Sequence, residues 1–159
     1  MNVKLQDKAD ELKAKSKEMI LDGGKKIVSH IEVVLNEAED HLHNNTVFRN
    51  YEINEIESDF LFMTQKFTDQ FMEAKGKLED ILTELPDEDF DFNAFFAEEN
   101  SLLSEYSRLT FVAEEIVAQL RIHQGVFGTD EDSPNTLTIA KIKATLADAE
   151  KVFSSLVAA

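Results

Sequence analysis

Cysteine and tryptophan are absent from this 159-residue chain, which holds only 5 glycines and 2 prolines. Without thiols it can form neither disulfides nor thiolate metal sites, and a cysteine nucleophile is excluded. Scarce glycine and proline leave few places to turn, which favours a small number of long elements. No stretch approaches the run of about 18 apolar residues that a membrane span needs. The opening MNVKLQDKADELKAKSKEM carries acids and lacks the apolar segment of a secretory signal. A cytoplasmic protein without membrane contact is the expectation.

Motifs of the common catalytic classes are missing too. The chain has no G-x-G-x-x-G, no G-x-x-x-x-G-K-[ST], no H-E-x-x-H and no G-x-S-x-G. Its histidines are His30, His41, His43 and His123. A carboxylate-rich metal bundle needs Glu-x-x-His on two helices, and only Asp40-x-x-His43 approaches that pattern. His41 and His43 instead follow Glu37 and Glu39 at four-residue spacing, where a side chain meets a carboxylate one helical turn earlier. Neither a metal nor a cofactor is expected.

Positive charge is scarce: 16 Lys and Arg stand against 32 Asp and Glu, for a net charge of −16. The imbalance is local. Residues 79–132 hold 2 basic and 15 acidic residues, whereas residues 1–78 hold 11 and 15, and residues 133–159 hold 3 and 2. Such a field repels nucleic acid and anionic membranes and favours basic partners. Lys13, Lys15, Lys17, Lys25 and Lys26 form a contrasting basic cluster, read as a solvated face near the acidic region of its own or a second chain.

What the chain does have is a pervasive helical period. In the first segment Leu5, Ala9, Leu12, Ser16, Ile20, Gly24, Ile27, Ile31, Val34, Ala38 and Leu42 step by threes and fours. The seam keeps phase through Asp22-Gly23-Gly24, so one long helix, weakened or kinked there, is preferred to two. Residues 43–46, HNNT, signal a turn. The second stripe runs Ile53, Ile56, Phe60, Met63, Phe67, Phe71, Ala74, Leu78, Ile81 and Leu85, stopped by Pro86. A third runs Phe92, Phe95, Leu102, Tyr106, Leu109, Ala113, Ile116 and Leu120. The last carries Ile139, Ile142, Leu146, Ala149, Phe153 and Leu156, with Ser133-Pro134 as an N-cap and first-turn proline. No alternating stretch suits a buried strand. The expectation is an all-α antiparallel bundle of about four long helices, near residues 2–44, 48–85, 91–124 and 134–157, forming one domain over 1–159.

Two features exceed what such a core needs. Residues 85–100, LPDEDFDFNAFFAEEN, crowd six acids and four phenylalanines together without a base. Asp87, Asp89, Asp91 and Glu98 fall at positions 1, 3, 5 and 12 of a calcium loop, but Phe92 stands where that loop needs glycine. A helix start capped by Asp89 or Asp91 fits better. Phe92 and Phe95 then join the third stripe, leaving Phe90 with Asp87, Glu88, Asp89 and Asp91 as an acidic-aromatic rim. The second feature is a set of outward apolar residues. At about 100° per residue, Tyr51 and Phe62 lie opposite the main stripe of the second helix, flanked by Leu61 and Met72. Phe111 and Ile122 lie likewise on the third. Either these helices are buried on two sides or this surface meets another chain.

Absent catalytic chemistry, local acidity and surplus outward aromatics point to a non-enzymatic module that binds a basic protein partner, as an inhibitor, immunity-type protein or adaptor does. Its candidate partner-binding residues are Asp87, Glu88, Asp89, Phe90, Asp91, Tyr51, Phe62 and Phe111. A homo-oligomer built through the Phe62 and Phe111 surfaces, in a structural or chaperone-like role, is the alternative, and a carboxylate-bound metal enzyme a more distant one. Direct nucleic-acid binding is not expected.

Overall fold

A computed structural model describes residues 3–84, 92–123 and 139–158. These form four α-helices and, among the described residues, no strand: α1 (Val3–Asn44), α2 (Asn50–Thr83), α3 (Phe92–His123) and α4 (Ile139–Ala158). At about 1.5 Å per residue, the 42-residue α1 extends roughly 63 Å and the 20-residue α4 only about half as far.

α1 runs uninterrupted through Gly23 and Gly24. A β-carbon on Gly23 would come within 2.9 Å of the Phe67 ring and 3.3 Å of Tyr106, and one on Gly24 within 2.8 Å of Phe153. The glycines are therefore places where aromatic rings from three other helices rest on the α1 backbone. Helix continuity survives because those rings supply burial that the missing side chains do not.

The turn at HNNT closes α1 by a mechanism its residues suit. Asn45 takes a left-handed conformation, φ 55°, and the Thr46 amide donates to the His41 carbonyl at 2.9 Å. This is the arrangement of a helix ending in a left-handed residue, which Asn tolerates better than most. His41 Nδ1 lies 2.7 Å from Thr46 Oγ1, and its ring meets fully buried Phe48 edge-on at 4.4 Å. His41 thus pairs with the corner rather than with Glu37. Across the corner, the Glu52 carboxylate accepts from the Arg49 amide at 3.2 Å and starts α2.

Contacts fix the directions. His30 lies edge-on to Phe60 and Gly23 against Phe67, so α2 runs antiparallel to α1. Arg121 reaches back to Glu57 at 2.9 Å and to Asn54 at 3.2 Å, while Tyr106 meets Phe67, so α3 is antiparallel to α2. Lys17 pairs with Glu98 and Gly23 meets Tyr106, which sets α3 parallel to α1. Phe153 on Gly24 and Lys143 beside Glu39 return α4 antiparallel to α1. The result is an up-down-up-down bundle in which α1 packs on all three other helices, while the described backbones of α2 and α4 stand apart on opposite sides of the shared core.

Because α4 is short, the bundle has two sections. Alongside α4, four helices enclose a large apolar core that includes Ile20, Ile27, Ile31, Phe60, Phe67, Tyr106, Leu109, Ile116, Ile142 and Phe153. Past the end of α4, helices α1, α2 and α3 continue as three, with a smaller cluster of Ala9, Leu78 and Leu82 under Leu12, Ile81, Phe95 and Phe96.

Candidate functional site

Of the residues singled out for partner binding, Asp87, Glu88, Asp89, Phe90 and Asp91 lie outside the described residues. Glu98, the last position of the calcium-loop pattern, stands within α3 and pairs with Lys17, whose ammonium holds the Glu98 carboxyl below its usual range. The side chain of Phe92 is likewise outside the described set, and Phe95 is half-buried in the smaller cluster.

Tyr51, Phe62 and Phe111 are described, and all three stand in solvent. They belong to a set of large apolar side chains, Tyr51, Leu61, Phe62, Met72, Phe111 and Ile122, that are 61–69% exposed. Burial of α2 and α3 on two sides is therefore not how one copy of the chain accommodates them. The bundle buries a single stripe per helix, and these six lie beyond it.

The structure also divides the set. Phe62 borders a groove between α1 and α2, with Met19, Met63, Lys26 and Lys66 around it. Met72 instead lines a groove between α2 and α3, walled by Thr64, Thr68, Ser107, Thr110 and Glu114 and floored by Phe67, Phe71 and Tyr106. Leu61 and Met72 are eleven residues apart on α2, and Phe111 and Ile122 eleven apart on α3. Eleven residues is close to three full turns, so each pair marks one line along its helix. Leu61 and Met72 therefore share one line on α2, beside the groove that Met72 lines, and Phe111 and Ile122 share one on α3, while Tyr51, eleven residues before Phe62, falls on the Phe62 line. Sequence periodicity finds every member but does not separate Phe62 from Phe111, because the neighbour on each side of α2 is set by tertiary packing.

The electrostatics of α2 and α3 are one-sided. α2 carries eight acids against three lysines, and α3 five against two arginines. Both α3 arginines are engaged by carboxylates, Arg121 by Glu57 and Arg108 by Glu105 at 3.2 Å. Acids such as Asp69 on α2 and Glu114 at the α2/α3 groove are left exposed. Beneath it, burial pushes the Tyr106 phenol up to about 12, so it stays a neutral, packed ring in contact with Phe67. The α1/α4 groove on the other side of the molecule is larger, about 630 Å³, with Leu21, Val28 and Phe153 as its apolar lining and Lys25, Glu32 and Glu150 at its edges. Among the described residues no group of three or more His, Asp or Glu side chains is placed to hold a metal ion. No described helix is long and apolar enough to cross a membrane.

The fold is thus that of an all-α four-helix bundle, with large apolar side chains exposed on the acidic helices α2 and α3. Compared with protein-family models, curated proteins and solved structures, the chain matches none.

Proposed function

We propose that this chain is a non-enzymatic protein-binding module whose α2/α3 face captures a basic protein partner, in the manner of an inhibitor, immunity-type protein or adaptor. The observation that carries this reading is the exposure of Leu61, Met72, Phe111 and Ile122 on two neighbouring helices that are rich in acids and whose α3 arginines are already taken up by carboxylates. Apolar anchors surrounded by unneutralised charge of one sign are what a partner of opposite charge with apolar contacts requires. The acidic residues Asp87, Glu88, Asp89 and Asp91 follow α2 in the sequence and add to the same field by charge alone.

Affinity capture from the source cell with three baits tests the reading. The unmodified chain and a Val33→Asp control, altered on the exposed flank of α1, should retain the same protein. Leu61→Asp with Phe111→Asp should lose it. Charge reversal at Asp87, Glu88, Asp89 and Asp91 should slow association with that protein, more at low salt than at high. Equal retention by all three baits removes the α2/α3 face as the binding surface.

A further inference from the structure

The core is not continuous along the bundle. Ile20, Phe67, Phe71 and Leu102 bound the larger apolar cluster at its lower end, and Leu12, Leu78 and Phe95 begin the smaller one. Between them lie Ser16 of α1 and Glu99 of α3, 1% and 3% exposed, the two polar residues among the described residues that are fully buried. Both occupy seam positions: Ser16 falls between Leu12 and Ile20, and Glu99 between Phe95 and Leu102. The Lys17–Glu98 ion pair places these two stretches side by side. Neither Ser16 Oγ nor Glu99 Oε1 has a hydrogen-bond partner among the described residues.

This layer sits where α4 gives out. Phe153 rests on Gly24, and α4 ends at Ala158, little more than a turn beyond. Among the described residues no fourth helix covers the layer, and Lys17 paired with Glu98 and Lys13, whose ammonium lies 4.5 Å from the Phe95 ring centre, flank it. The charged groups around Glu99 are Lys13 and Lys17 from α1, Lys75 from α2 and Glu98 beside it on α3. Burial outweighs the three lysines and pushes the Glu99 carboxyl up to about 7. An ionised carboxylate at this depth is costly unless water or a lysine reaches it, and Lys13, Lys17 and Lys75 are the cations around it.

We propose that the Ser16–Glu99 layer is a proton-controlled hinge: with Glu99 protonated the three-helix end is closed, and loss of that proton to water opens it while the four-helix body stays folded. Opening would uncover Leu12, Ile81, Phe95 and Phe96, an apolar surface separate from the α2/α3 face, and free Lys13 and Lys75 to meet the carboxylate. The proposal does not depend on the partner-binding reading, since it concerns the other end of the core.

Hydrogen exchange on the full chain, corrected for the intrinsic pH dependence of exchange, tests it at about pH 5.5 and about pH 8. Protection in segments 6–15, 76–84 and 94–98 should fall by about tenfold or more at the higher pH. Segments 26–40 and 109–120 should hold. In Glu99→Leu, and in the isosteric Glu99→Gln if the former misfolds, the end should stay protected at both pH values. Equal protection at both pH values in the unmodified chain overturns the proposal, as does a Glu99→Gln protein that keeps the full pH dependence. Carbon-13 NMR of the Glu99 carboxyl provides an independent check. Titration near neutral pH is the expected result, and titration in the ordinary range near 4.3 would overturn the proposal, because the layer would then not be sensitive where the hinge requires it.

Discussion

Glycine within a helix ordinarily costs about 1 kcal/mol relative to alanine, so replacing one should help. In this chain the sign depends on what faces it. Gly76 has nothing within 4 Å of a would-be β-carbon, whereas Gly24 has the Phe153 ring at 2.8 Å. Gly76→Ala should raise stability by about 0.5–1 kcal/mol, and Gly24→Ala should lower it by about 1–2 kcal/mol through overpacking. Urea denaturation of the two variants side by side checks the contrast. Glu99 supplies a second expectation at this scale. Its carboxyl is raised in the folded state, so the folded chain binds the proton more tightly than the unfolded chain does. Its stabilising contribution is present at low pH and is lost as pH rises from about 4.5 to about 7. The stability difference between the unmodified chain and Glu99→Gln should therefore move against the unmodified chain by on the order of 2–3 kcal/mol across that window. Denaturant titrations at several pH values measure it. Ser16 is legible in the sequence as a seam position. Glu99 is not, although it stands three residues before Leu102, because an acid at a core position reads as a gap in the stripe.

At the scale of elements, helix identity and most of the seam are legible. The expected spans 2–44, 48–85 and 91–124 agree within two residues with α1, α2 and α3 at every described end. The periodicity of α4 likewise marks a helix that the structure contains, while residues 134–138 at its expected start are not among the described ones. Continuity of α1 through its glycines follows from phase alone, but the reason for it does not, since Phe67, Tyr106 and Phe153 are remote in sequence. That reason is open to measurement. Phe153→Ala should cost about 3–5 kcal/mol, as deletion of a buried aromatic does, and should loosen α4 from α1. In that background Gly24→Ala should become neutral or stabilising, because the ring that opposed it is gone. A double-mutant cycle reads this coupling directly, and additive effects would show that Phe153 does not rest on Gly24. The interhelical ion pairs Lys143–Glu39 and Arg121–Glu57 are surface-exposed. Pairs of that kind contribute about 1 kcal/mol or less, so they mark register more than they hold the bundle together.

For the whole molecule, the net charge of −16 opposes contact between copies even though six large apolar side chains of α2 and α3 stand in solvent. At about 0.05 M salt the chain should be monomeric by light scattering. At about 1 M salt, where charge is screened within about 3 Å, those faces should begin to associate, and Leu61→Asp with Phe111→Asp should suppress the association. A stable dimer at low salt would instead favour the self-associating alternative over capture of a basic partner. Length, the lack of turn residues and a seam of threes and fours are sufficient to determine that this chain forms a few long helices laid side by side. They are sufficient because helical period and turn chemistry are properties of neighbouring residues. Which helix lies against which, where α4 stops short, and that Phe62 and Phe111 look out from different faces are decided only by the tertiary structure. So is the burial of Glu99 in an unpartnered layer, because burial and charge environment depend on residues that the sequence holds some eighty positions apart.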